Sequence, residues 1–99
     1  MEKININLTE IEFKDLNGTI VTVQNFVKDL ANEIYRFPQR TIQISAISKT
    51  LFNGETAEVE KDDLVDLIAI VNALNWTQWI KEHVIEYLNN KLKENGTNN

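Results

Sequence analysis

The sequence predicts a single α+β domain in which an N-terminal β-hairpin packs against a layer of three to four α-helices. Apolar residues alternate with polar ones at Ile4, Ile6 and Leu8 and again at Ile11 and Phe13. Period two is the mark of a half-buried strand. Asn17-Gly18 then separates this run from the β-branched run Ile20-Val21-Thr22-Val23. Asn-Gly between two such runs is the strongest short hairpin signal, because both residues tolerate positive φ. From residue 24 the period becomes helical, turns ambiguous over 41–53, and is helical again from Asp62. Strands followed by helices, rather than alternating with them, are the pattern of an α+β domain.

The hairpin is expected over roughly 10–15 and 19–23, with Ile4–Leu8 either continuing its first strand or forming a short separate one. Over 24–37, Phe26, Val27, Leu30 and Ile34 form one apolar helical stripe, widened by Ala31 and Tyr35. Pro38 ends this helix, because the residue before a proline is pushed out of the helical region. Thr41–Ser45 alternates as a strand would, yet Ile44, Ile47, Leu51 and Phe52 share a helical face and Gly54 suits a helix C-terminal cap. A helix over about 42–52 is the favoured reading. Glu55–Glu60 is an acidic connector that could hold a very short strand. Leu64, Val65, Leu67, Ile68, Val71 and Leu74 predict the next helix, with Asp62 or Asp63 as its N-cap, where acids also suit the helix dipole. Thr77 offers the cap of a last helix through Ile80, Val84, Tyr87, Leu88 and Leu92. The domain is expected over 1–93, with 94–99 a disordered tail that has nothing to bury.

Composition bounds the chemistry. With 99 residues, 42% of them hydrophobic, the chain makes one domain with a real core. It holds no cysteine and one histidine, which excludes disulfide scaffolds, cysteine zinc sites, thiol catalysis and iron–sulfur chemistry. Fifteen acids against ten bases give a formal charge of −5, most of the excess lying in Glu55, Glu58, Glu60, Asp62, Asp63 and Asp66. Nucleic-acid binding needs clustered Lys and Arg, so direct contact with nucleic acid is not expected. No apolar run approaches the roughly 18–20 residues of a membrane span. The N-terminal residues lack the apolar core and cleavage site of a signal peptide, so a cytoplasmic location is expected and membrane association is not. Four Asn-x-Thr sequons, at Asn7, Asn17, Asn75 and Asn95, are then expected to follow from the thirteen asparagines rather than from glycosylation, and the excess of Asn, Ile and Lys over Arg and Gly matches AT-rich codons.

Few residues could carry chemistry. The acidic cluster lacks the spacing of a calcium loop and reads as a helix start with a solvated face, or as a contact for a basic partner. His83, with Trp79 four residues before it and Tyr87 four after, lies on one helical stripe. No motif places a nucleophile beside it. Trp76 and Trp79 flank the start of the last helix, where tryptophans close a helix junction or supply an interface anchor. Arg36 and Arg40 flank Pro38, where helix C-terminal cations are ordinary. Gly18, Gly54 and Gly96 are isolated and form no phosphate-cradling loop.

Leu16-Asn17-Gly18 is followed by a helix with Phe26, Leu30 and Ala31, then by Leu51-Phe52-Asn53-Gly54-Glu55, then by Val59-Glu60-Lys61-Asp62-Asp63-Leu64. This order of turn and cap motifs resembles a loose group of small bacteriophage, prophage and mobile-element proteins. The resemblance covers most of residues 10–90 and departs at Thr41–Ser45 and at the two tryptophans. It implies a phage or mobile-element origin and carries over no catalytic residue. The expected function is a non-enzymatic protein–protein interaction module that presents Trp76, Trp79, His83 and Tyr87 to a protein partner or to a second copy as a homodimer. The alternative is an acidic regulator that occupies a basic, nucleic-acid-binding surface of another protein through Glu55–Asp66. Neither reading calls for a cofactor, a metal or a small-molecule substrate.

Overall fold

The chain's strongest helical stripe, Phe26 to Ile34, buries Phe26, Leu30, Ala31 and Ile34 on one side of helix α1 (Phe26–Arg36). A computed structural model describes residues 3–38 and 41–96. Around α1 it places strands β1 (Ile4–Ile6), β2 (Phe13–Lys14), β3 (Ile20–Val21) and β4 (Ala57–Val59), and helices α2 (Ile42–Phe52), α3 (Lys61–Ala73) and α4 (Gln78–Gly96). The fold is α+β, with short N-terminal strands and four helices.

The helices form two pairs. α1 packs most extensively on α2, and α3 on α4, with much thinner contact between the pairs. A two-stranded antiparallel ribbon bridges them: β1 pairs with β4 in the register Ile4↔Val59, Asn5↔Glu58, Ile6↔Ala57. Its inner face, Ile4, Ile6, Ala57 and Val59, is buried, and its outer face, Asn5 and Glu58, is exposed. β1 rests on α4 and β4 on α2. Ile4–Ile6 is therefore a separate strand, and its partner is the short acidic connector, not the hairpin.

The hairpin is shorter than its composition suggests. Only Phe13↔Val21 and Lys14↔Ile20 pair. Of Asn17-Gly18, only the glycine takes positive φ, at 83°. The turn closes by the Gly18 N–H donating to the Asp15 carbonyl at 3.0 Å. The Asp15 carboxylate accepts the Asn17 and Thr19 N–H groups, each at 2.9 Å. Inward-facing Phe13 is buried, whereas β-branched Ile20 and Val21 face solvent.

Local chemistry sets the helix limits. Phe37 leaves the helical region at ψ 129°, as the residue before Pro38 must. Thr41 caps α2, its side chain accepting the Ile44 N–H at 3.2 Å. At the other end the Gly54 N–H reaches the Leu51 carbonyl at 3.0 Å and the Glu55 N–H that of Thr50 at 3.3 Å, with Gly54 at φ 76°. This is the Schellman arrangement that a left-handed glycine permits. The helical alternative for Thr41–Ser45 thus holds. α3 begins two to three residues earlier than its aspartates suggest. Glu60 is the N-cap, and Asp63, at the third helical position, accepts the Glu60 N–H at 3.2 Å. α4 runs to Gly96, into the segment expected to be tail, and residues 97–99 lie outside the described residues.

A strand and a helix differ in what they do with Ile42 and Ile44. In a strand the two would share a face; in α2 Ile42 is exposed and Ile44 buried. Ile44→Ala should lower unfolding free energy by about 2–5 kcal/mol. Ile42→Ala should stay within about 0.5 kcal/mol of the parent. Urea unfolding measures both.

Candidate functional site

The N-terminal segment reaches the last helix through three side chains of α4. Trp79, His83 and Tyr87 stand one above another at successive turns, as their spacing requires. Trp79 donates its indole N–H to the Lys14 carbonyl at 3.3 Å. His83 Nε2 accepts the Lys14 N–H at 3.3 Å, and its Nδ1 lies 2.8 Å from the Trp79 carbonyl. One nitrogen must accept and the other donate, so the ring carries its proton on Nδ1. Lys14 does not use these backbone groups to pair with β3, so α4 side chains occupy the outer edge of β2 where another strand would sit. The Phe13 ring completes the cluster, with centroids 5.6 Å from Trp79, 5.4 Å from His83 and 4.7 Å, edge-on, from Phe26.

Tyr87 does the same for the segment after β1. Its phenol oxygen accepts the Asn7 N–H at 2.9 Å and donates to the Glu10 carboxylate at 2.7 Å. Asn7 in turn caps the short 3-10 turn Leu8–Glu10, its Oδ1 accepting the Thr9 N–H. Lys91 sits 3.7 Å from the same Glu10 carboxylate. Burial pushes the Tyr87 phenol well above its ordinary range, and the Glu10 carboxylate adds to the shift while the Asn7 N–H opposes it. Trp76, half-buried in the bend before α4, meets Phe26 edge-on at 6.4 Å. Of the four residues expected to form an interaction face, Trp79, His83 and Tyr87 thus hold the chain's own N-terminal segment, and Trp76 packs against α1.

The acidic residues are not gathered. Glu55 follows α2, Glu58 lies on the outer face of β4, and Asp62 and Asp66 are exposed on α3. Glu60 and Asp63 start α3, and Glu60 also pairs with Lys3 at 3.5 Å in an exposed ion pair. Among the described residues no cluster of potential ligands could hold a metal ion. Arg36 pairs with Glu33 at 2.7 Å, one helical turn before it, and Arg40 lies outside the described residues.

Two features were not anticipated. Leu16, at the tip of the hairpin, is fully exposed, and Ile20 and Val21 beside it are 59% and 39% exposed. Between this tip and α4 lies an open cleft of about 700 Å³. Leu16, Trp79 and His83 line it, together with Glu12, Lys14, Asp15, Glu82 and Glu86. Glu82 and Glu86 flank the His83 stripe at a spacing of four, a signal present in the sequence but meaningless until the hairpin lies alongside. Comparison with protein-family models, curated proteins and solved structures found no match. No described helix is long and apolar enough to cross a membrane.

Tyr87→Phe removes one acceptor and one donor between α4 and the N-terminal segment. It should cost about 1–2 kcal/mol near neutral pH. The folded phenol stays protonated where the unfolded one ionises, near about pH 10. The folded state then binds more protons, so this contribution is complete below that pH and declines as pH rises through it. Parent and Tyr87→Phe stabilities, measured by urea unfolding from pH 7 to 11, should therefore converge at the alkaline end.

Proposed function

We propose that this chain is a small non-enzymatic protein–protein interaction module, of phage or mobile-element origin in an AT-rich bacterium, and that its hairpin is what it presents. The exposed apolar surface of that hairpin carries the reading. Leu16, Ile20 and Val21 are each exposed, on an element anchored through Phe13, Trp79 and His83. Large apolar side chains displayed on a well-anchored element support a contact surface. His83 adds to the non-enzymatic reading, because backbone groups take both of its ring nitrogens. The origin rests on the turn and cap motifs alone. The alternative, an acidic regulator that covers a basic surface, draws on Glu55, Glu58, Asp62 and Asp66, which stay exposed. Its binding would weaken steeply with salt.

The test compares the immobilised protein with a Leu16→Asp/Ile20→Asp variant and with Val65→Asp, an exposed control on α3. None of these side chains is buried, so each variant should keep its stability within about 1 kcal/mol. A protein captured from bacterial lysate by the parent and the control, and lost with the hairpin variant, is the expected outcome. Equal capture by the hairpin variant would overturn the assignment.

A further inference from the structure

We infer that the cleft between the hairpin tip and α4 receives a basic segment of another protein, with an apolar side chain of that segment seated against Leu16 and Trp79. The inference rests on the hairpin being a contact surface and adds the chemistry of what it contacts.

Charge complementarity carries it. The cleft is lined by the acidic residues Glu12, Asp15, Glu82 and Glu86 and by one cation, Lys14; Asp15 keeps its negative charge there while one of its carboxylate oxygens holds the turn. Lys14 approaches Glu12 only at 3.9 Å, in a pair more than half exposed, and such pairs contribute little. Other cations are engaged away from the rim. Lys81 donates to the Leu74 carbonyl, Lys91 sits against Glu10, and Lys3 pairs with Glu60. Lys28 lies over the Phe52 ring and Lys49 over that of Tyr35. The negative rim is left for an external cation to neutralise.

The floor is suited to an apolar anchor. Trp79 is 36% exposed, yet its indole N–H is fixed on the Lys14 carbonyl and its ring rests on Phe13 and His83. A side chain already ordered before binding loses little entropy on contact. A hydrophobic floor with a polar, charged rim is the anatomy of a protein-binding site. A second copy does not suit it. A two-fold contact sets the same patch against itself, and acid rim against acid rim is a repulsive pairing. Nucleic acid is repelled for the same reason.

The probe is the end-blocked peptide Gly-Arg-Arg-Leu-Arg-Arg-Gly, titrated into isotopically labelled protein and followed by amide shifts. One control peptide replaces its leucine by glycine, and another replaces its arginines by glutamates. Shifts should concentrate on residues 12–16 and 79–86. Affinity should fall several-fold between about 0.05 and 0.5 M salt, fall again without the leucine, and vanish for the glutamate peptide. Glu82→Lys/Glu86→Lys should weaken binding by about tenfold or more. The control Asp62→Lys/Asp66→Lys, at the acidic start of α3, should leave it unchanged, and unfolding curves confirm that both variants fold.

Shifts spread over all acidic surfaces, equal binding by the Glu82→Lys/Glu86→Lys variant, or no binding at millimolar peptide would overturn the inference. So would a salt-insensitive dimer, seen by light scattering, that perturbs the same residues without peptide. Lysate capture lost with Leu16→Asp/Ile20→Asp but kept with Glu82→Lys/Glu86→Lys would leave the hairpin as the contact surface and overturn the basic partner alone.

Discussion

The pairing of β1 with β4 is the constraint on which the rest of the molecule depends. Each strand is three residues long, and a ribbon of this size is marginal by itself. Its stability comes from Ile4, Ile6, Ala57 and Val59, which bury one face among the helices. In return the ribbon joins the two helix pairs, because β1 lies on α4 and β4 on α2. It also fixes where the chain goes next. From β1 the segment enters the Asn7-capped turn under Tyr87, and from there the hairpin reaches Trp79 and His83.

The second level of organisation is a set of backbone groups satisfied at long range by side chains. The Asn7 N–H and both Lys14 backbone groups find partners on α4, 65 to 80 residues away. A strand edge left open is a template for pairing with other chains. β2 is closed by an indole and an imidazole instead of by a strand, so the exposed apolar residues of the hairpin are displayed without a matching open edge on β2. Buried polar groups follow the same discipline: among the described residues no buried side-chain nitrogen or oxygen lacks a partner.

What the sequence revealed follows from what is local. The helical stripes of α1, α3 and α4, the stop before Pro38, the cap at Gly54 and the turn at Asp15–Gly18 each depend on residues a few positions apart. All are legible as period, cap or turn chemistry. The pairing of Ile4 with Val59 is not, because two three-residue strands carry no signal of each other across 55 positions. The same limit applies to the site. The Trp79–His83–Tyr87 stripe was visible, but its partners are backbone groups of Lys14 and Asn7, which any residue would supply. Ile20 and Val21 misled in the opposite sense: β-branched residues fit a half-buried strand, and here the two-residue strand leaves both of its faces exposed at this position. Glu60 took the cap expected of its aspartate neighbours because Asp63 could reach back to its N–H.

The attachment of the hairpin to α4 bears on how the protein is made. Lys14 leaves the ribosome 65 residues before Trp79, its partner. At synthesis rates of ~5–20 residues per second the hairpin spends roughly 3–13 s without the helix that closes its edge. During that interval β2 is open on its outer side while Leu16, Ile20 and Val21 are already exposed. The nascent chain is therefore most open to mispairing before its last helix emerges, and the exposed apolar side chains of the hairpin are its vulnerable point during translation.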